Sequence, residues 1–267
     1  MLRQADWKPF AQRAALLLAL GLGAASSVAA LETLSVRVVR ALPHDPAAFT
    51  QGLVYIRDPA GSVFLESTGL HGRSTLRVVD VVTGGVRHSL PLPGDQFGEG
   101  LAIVGERLVQ LTWRSGVAHV YALNTLDHLV SWNYEGEGWG LCHDGAHFVM
   151  SDGSATLQFR DSERFEVVRT IDVALLGRPV RRLNELECVD GAVYANVWGA
   201  DQIIKVNLLS GEVEAVIDAA GLLTPAERRG ADVLNGIAYA SGAGTFYLTG
   251  KLWPKVFEVT FEPSAPR

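Results

Sequence analysis

The sequence predicts an all-β fold, a five-bladed β-propeller closed by its N-terminal strand. After residue 30, short β-rich runs alternate with turns rich in Gly, Asp and Asn, and no long helical periodicity intervenes. One strand-turn-strand unit recurs five times. A spare strand precedes the first unit, while the fifth lacks a fourth strand of its own.

Residues 1–30 stand apart from this pattern. Arg3, Lys8 and Arg13 precede an apolar run over 14–25, too short to span a bilayer comfortably, and Val28-Ala29-Ala30 offers the small residues that a signal peptidase cleaves after. The expectation is a signal peptide over 1–30 and a mature domain over 31–267, secreted, or periplasmic in a Gram-negative host. An uncleaved anchor is the alternative; no later stretch is expected to cross a membrane. Cleavage would remove Arg3, Lys8, Arg13 and Asp6 and take the net charge from −6 to −8. With 48% hydrophobic and 19% charged residues the chain is not disordered. Its acidic balance argues against nucleic-acid binding.

The repeats open at Gln51-Gly52-Leu53, Glu99-Gly100-Leu101, Trp139-Gly140-Leu141, Asn184-Glu185-Leu186 and Asn235-Gly236-Ile237, so the second position recurs every 40 to 51 residues. Second strands follow over 63–66, 108–113, 147–152, 193–198 and 245–249. Asp144-Gly145 and Asp190-Gly191 supply hairpin turns between first and second strands. Third strands follow in every unit and fourth strands in the first four. The spare strand, 34–42, is expected to complete the last blade, which would leave no open edge. A β-sandwich is the competing arrangement. The least regular stretches are 174–183 and 219–234, the latter containing a helical turn at Thr224-Pro225-Ala226-Glu227.

Strands that line a propeller axis bring their first residues to one mouth: Gln51, Glu99, Trp139, Asn184 and Asn235. Second-strand ends add Glu66, Trp113, Asp152, Trp198 and the loop Thr249-Gly250-Lys251. Three indoles with a few converging polar groups suit a small-ligand site. Asp152, before Gly153, reads as a turn residue, and Glu66 as a loop-holding acid or an alternative proton carrier. Glu99, between two glycines and beside apolar neighbours, is the stronger acid-base candidate, because desolvation would raise its pKa. Lys251 is a candidate partner for an acid or for developing negative charge.

Other signals are weak. The sequence holds no G-x-S-x-G, H-E-x-x-H or P-loop. Asp144-Gly145 breaks any helix that would align His143 and His147 on zinc. Cys142 and Cys188 occupy one repeat position in neighbouring units; the reading favours two buried unpaired residues over a disulfide. No metal site is expected, no cofactor is required, and a structural Ca²⁺ elsewhere stays open.

Several segments, in order along nearly the whole mature chain, resemble the plant and bacterial type of glutaminyl-peptide cyclotransferase. They are Phe49-Thr50-Gln51-Gly52-Leu53, Glu66-Ser67-Thr68-Gly69, Phe97-Gly98-Glu99-Gly100-Leu101, Gly138-Trp139-Gly140-Leu141, Leu183-Asn184-Glu185-Leu186-Glu187, Asn196-Val197-Trp198, Val233-Leu234-Asn235-Gly236-Ile237 and Thr249-Gly250-Lys251-Leu252-Trp253-Pro254. The resemblance implies a five-bladed propeller, independence from zinc, and cyclisation of N-terminal glutamine to pyroglutamate with release of ammonia. It carries the catalytic role to Glu99 and pocket roles to Phe49, Gln51, Phe97, Trp113, Trp139, Asn184, Trp198 and Lys251. The partners implied are peptides or proteins with N-terminal glutamine, met by a monomer. A non-catalytic propeller binding peptide or sugar, and a Ca²⁺-dependent hydrolase or lactonase, are the competing classes.

Overall fold

The computed structural model describes residues 31–57 and 61–264. The expected signal peptide lies outside the described residues. An N-terminal strand, β1 (Glu32–Pro43), precedes three four-stranded antiparallel sheets. These are β2 (Thr50–Ile56) to β5 (Val86–Pro91), through β3 (Val63–Thr68) and β4 (Thr75–Asp80); β6 (Gly98–Val104) to β9 (His128–Asn133), through β7 (Arg107–Thr112) and β8 (Val117–Ala122); and β10 (Leu141–His143) to β13 (Val167–Asp172), through β11 (His147–Met150) and β12 (Thr156–Asp161). In each, burial falls from first strand to fourth: β2 and β6 begin fully buried, while β5, β9 and β13 are almost wholly exposed.

The irregular stretch after β13 contains a small hairpin, β14 (Ala174–Leu175) and β15 (Arg178–Pro179), missed in the sequence pattern. Its turn residues Leu176 and Gly177 both have positive φ, the geometry of a tight two-residue hairpin. The remaining strands are β16 (Leu183–Val189), β17 (Ala192–Val197), β18 (Gln202–Asn207), β19 (Val213–Asp218), β20 (Leu234–Ala240), β21 (Thr245–Gly250) and β22 (Lys255–Pro263). A single helical turn, α1 (Pro225–Arg228), precedes β20. Thr224 and Glu227 close a capping box on it. The expected helical turn is therefore present, and the all-β class holds.

The last strands form one eight-stranded sheet rather than two separate fours. β1 runs antiparallel to β22 from Leu34↔Pro263 to Pro43↔Lys255, as expected of a strand completing the last repeat. Its first residues also pair in parallel with β19, from Glu32↔Ala215 to Ser35↔Asp218, which fuses the two sets.

The first strands touch in sequence: β2 with β6, β6 with β10, β10 with β16, β16 with β20, and β20 with β2. Five hydrophobic clusters fill the spaces between successive sheets. The last of them sets Leu53, Phe64 and Val79 against Ala238, Tyr247 and Val256. The approach of the first strands explains the small second repeat position. A Cβ at Gly52, Gly100 or Gly140 would strike the backbone of Leu101, Leu141 or Asn184. Glu185 stands at the same repeat position as these glycines, and its carboxyl accepts the backbone N–H groups of Leu53 (3.1 Å) and Ile237 (3.2 Å), on two other first strands. Burial lifts its pKa well above the ordinary value.

Cys142 on β10 and Cys188 on β16 form a disulfide, with Cα atoms 5.5 Å apart. This overturns the reading of two unpaired buried residues. Counted from the repeat openings the two lie one position apart rather than at the same one, and the packing of β10 on β16 brings them within bridging distance.

Candidate active site

The site residues sit where the first strands begin, and local backbone irregularity aims them. The pairing of first with second strand slips between Thr50 and Gly52, Gly98 and Leu101, Leu183 and Leu186, and Leu234 and Ile237. Such bulges turn side chains away from the regular alternation. Gln51, Glu99, Asn184 and Asn235 all lie at them.

One cavity of about 400 Å³ opens at this end, lined by Phe49, Gln51, Phe97, Glu99, Trp113, Trp139, Asn184, Trp198 and Lys251. Its walls are aromatic. Phe97 stands edge-on to Phe49 (6.0 Å between centroids) and to Trp113 (5.6 Å), and Trp139 meets Trp198 at 6.3 Å. Phe97 is seated on Gly69, where any Cβ would collide with its ring. Trp198 is 41% exposed, so its wall reaches the rim.

The floor is polar and dry. Glu99 is 4% exposed and Lys251 5%. Gln51 Nε2 donates to Glu99 Oε1 at 3.0 Å, and Asn235 Nδ2 donates to Gln51 Oε1 at 3.1 Å, so the acid is held by a two-step amide relay. Burial pushes the Glu99 carboxyl well above the usual range; Lys251 offsets part of that rise and Glu137 adds to it. Burial lowers Lys251, against the pull of Glu99 and Asp232. The Lys251 ammonium lies 4.9 Å from the Phe49 ring centroid. The buried Oδ1 of Asn184, on the cavity wall, has no hydrogen-bond partner among the described residues. The site therefore offers a proton carrier with a raised pKa, a buried cation and a spare amide within aromatic walls.

Three sequence candidates lie elsewhere. Asn235 stands behind Gln51. Asp152 holds its own turn, accepting from the Ser154 N–H at 2.9 Å. Glu66, expected at the mouth, is not on the cavity wall. It is buried in an ion cluster, 2.9 Å from His44 Nε2 and 2.5 Å from Arg77 Nη2, and accepts the Thr50 hydroxyl at 2.6 Å. Burial alone would raise it, but His44, Arg77 and Thr50 outweigh that and bring its pKa down to about 2. An acid so firmly ionised and sealed is no proton carrier. His44 also contacts the Trp253 carbonyl at 2.8 Å, so the cluster ties the β1–β2 loop to the segment carrying Lys251.

One residue escaped the sequence reading. Glu137 Oε2 accepts the indole N–H groups of both Trp113 (2.6 Å) and Trp139 (3.0 Å), and its Oε1 accepts Arg114 Nε at 2.8 Å. Among the described residues no three of His, Cys, Asp and Glu cluster as metal ligands.

Residues 13–261 match the model of the glutamine cyclotransferase family. A glutaminyl-peptide cyclotransferase of Arabidopsis thaliana is 39% identical over 236 residues, 87% of this chain and 73% of that relative. The crystal structure of a glutaminyl cyclase from Myxococcus xanthus aligns with a TM-score of 0.79 at 38% identity, over 88% of this chain and all of that one. The WD40 repeats of RRP9 align with a TM-score of 0.51 over 85% of this chain and 97% of theirs; at 13% identity that likeness concerns the fold alone.

Proposed function

The chain belongs to the glutamine cyclotransferase family, and from that premise we propose how its cavity works. The enzyme cyclises the N-terminal glutamine of peptides and proteins to pyroglutamate and releases ammonia, an intramolecular aminoacyl transfer. The observation that carries the residue assignment is the convergence of buried Glu99 and Lys251 within one aromatic cavity of about 400 Å³.

The substrate's α-amine, in its neutral form, attacks the carbon of its own γ-carboxamide. A C–N bond forms and the carbonyl π electrons move to oxygen. The Lys251 ammonium and the N–H groups of the Asn184 amide stabilise that oxyanion, in a buried site that strengthens both interactions. Glu99 takes the proton that the attacking nitrogen sheds and gives it to the departing amide nitrogen. The second C–N bond then breaks, the carbonyl reforms and ammonia leaves. One carboxyl serves as base and then as acid, a task suited to a raised pKa. Gln51 holds one Glu99 oxygen in place. The indole walls press the five-membered ring toward closure, so positioning supplies much of the rate. The peptide beyond its first residue lies outside the mouth, and broad tolerance there follows.

We further propose that the strand sets are five blades of a propeller, with β1 as the fourth strand of the last and the contact of β20 with β2 as the seam. Support comes from the cyclic order of first-strand contacts and the likeness to WD40 repeats. The leader over 1–30 would send a mature monomer out of the cytoplasm, and the chemistry calls on no cofactor.

Mass spectrometry of a glutamine-initiated peptide incubated with the mature protein, with and without chelator and beside Glu99→Gln, tests the reading. The expected result is loss of one ammonia that survives chelation and vanishes in the variant. Folded protein that releases no ammonia from several such peptides would overturn it.

A further inference from the structure

We propose that Glu137 is a positioning residue for this cyclisation, one carboxylate oxygen fixing the two indole walls, Trp113 and Trp139, at the spacing the glutamine side chain requires. The inference rests on the cyclisation reading of the cavity.

Trp113 follows β7 and Trp139 precedes β10, so the two indoles hang from different sheets. Each belongs to its own aromatic row: Trp113 packs on Phe97, which in turn meets Phe49, and Trp139 packs on Trp198. Glu137 Oε2 joins the rows, at 2.6 Å from one indole nitrogen and 3.0 Å from the other. Oε1 is held in turn by Arg114, whose guanidinium lies 3.8 Å from the Trp113 ring centroid. Carboxylate, guanidinium and indole thus brace one another.

An ordinary surface acid accounts for little of this. An exposed Arg–Glu pair contributes small stability and no orientation at a distance. Here charge-assisted bonds to two N–H donors set ring planes that both face substrate. Glu137 is not on the cavity wall, so it acts through the indoles. Burial opposes its ionisation, but Trp139, Arg114 and Trp113 outweigh that and keep it charged. Without it, both N–H groups lose a fixed acceptor and the slot loses its width. Misplacing a reacting group by about an ångström costs on the order of 100-fold in rate.

The test compares Glu137→Ala and Glu137→Gln with the wild type, using a glutamine-initiated peptide, near-ultraviolet circular dichroism and thermal unfolding. Glu137→Ala should lose about 10- to 100-fold in kcat, with little change in KM, an unchanged Tm and a weakened tryptophan band. Glu137→Gln keeps an oxygen acceptor and removes the charge; it should return kcat to within about threefold of wild type and restore the band. In a Trp139→Phe background, which has already lost one indole donor, Glu137→Ala should cost less than it does alone. Wild-type kinetics in Glu137→Ala, or equal impairment of the Ala and Gln variants, would overturn the proposal. A wild type that cyclises nothing would sink the cyclisation reading instead, and the tryptophan band would still decide whether Glu137 orders the two rings.

Discussion

The Gln51 side-chain amide donates to the Glu99 carboxyl across 3.0 Å and is itself held from behind by Asn235. One oxygen of the acid is thereby fixed by protein, and the other has no hydrogen-bond partner among the described residues. The relay orients a buried carboxyl without neutralising it, since the partner is an amide rather than a cation.

Glu99→Gln should lower ammonia release by about 10²- to 10⁴-fold, the usual worth of a general acid-base group. The variant should be at least as stable as wild type at pH 7. A buried acid with a raised pKa contributes its full stability below its unfolded pKa, and that stability falls as pH rises toward the folded value. Calorimetry beside the ammonia assay checks both; undiminished release would move the chemistry to another residue.

The acid limb of kcat/KM should lie well above the ordinary glutamate value of about 4.3. Below the lower of the Glu99 and substrate amine pKa values both groups carry protons and no base is available. Burial places Glu99 high, so activity should already be falling at a pH where an exposed carboxylate would still be fully ionised. Initial rates across pH 4 to 9 decide; a limb at the ordinary carboxylate value would contradict the assignment.

Glu66→Ala should unfold the protein more readily without touching the chemistry. It would leave His44 without its ion-pair partner and Arg77 with Asp45 alone (2.7 Å), a loss of about 3–5 kcal/mol. The pH dependence has a definite sign. Glu66 is lowered to about 2, so its support is present above 4.5 and fades as pH falls toward that value. His44 is raised, because Glu66 and the Trp253 carbonyl outweigh the effect of burial; its support is full below 6.5 and fades as pH rises through the raised value. Urea unfolding should show the cluster worth most between 4.5 and 6.5, whereas a contribution flat with pH would refute the pairing.

Reduction of Cys142–Cys188 should lower Tm and spare catalysis. The bridge spans 46 residues, and closing such a loop removes about 4 kcal/mol of unfolded-state entropy at most. The two sulfurs border a small cavity with Glu187 and His143 that shares no lining residue with the catalytic one. Melting curves with and without reductant, beside kcat at 25 °C, test this; loss of kcat in protein that is still folded would contradict it.

The repeat openings were legible because the close approach of the first strands imposes them. A polar residue faces the mouth, and the next position must be small wherever first strands crowd, as Gly52, Gly100 and Gly140 show. Phe49 and Phe97 were not legible from spacing. Each precedes its strand by one residue and reads as core, so the family resemblance alone identified them. Glu66 falls three residues short of the Trp113 position: it pairs with Leu53 as Gln110 pairs with Leu101, while Gly69 takes the place of Trp113, and Arg77 pairs opposite Glu66 on the neighbouring strand. That pairing depends on register, which the pattern of residue types left open. Glu137 hid as a loop acid, though Gly136-Glu137-Gly138 repeats the glycine frame of Gly98-Glu99-Gly100. Its acceptor role depends on two indoles arriving from separate sheets.

The pairing of β1 with β22 sets an order in time. The first described strand to leave the ribosome meets a partner made much later, as with Arg40 and Glu258, which are 218 residues apart and share an ion pair. Earlier sheets find their neighbours locally, as soon as they emerge. β1 must wait, unpaired along that edge, until β22 is free, and long-range closure of this kind slows folding. A nascent chain can thus carry much of the catalytic cavity's wall while lacking both Lys251 and the strand pair that locks it, so activity arrives only with the final strand.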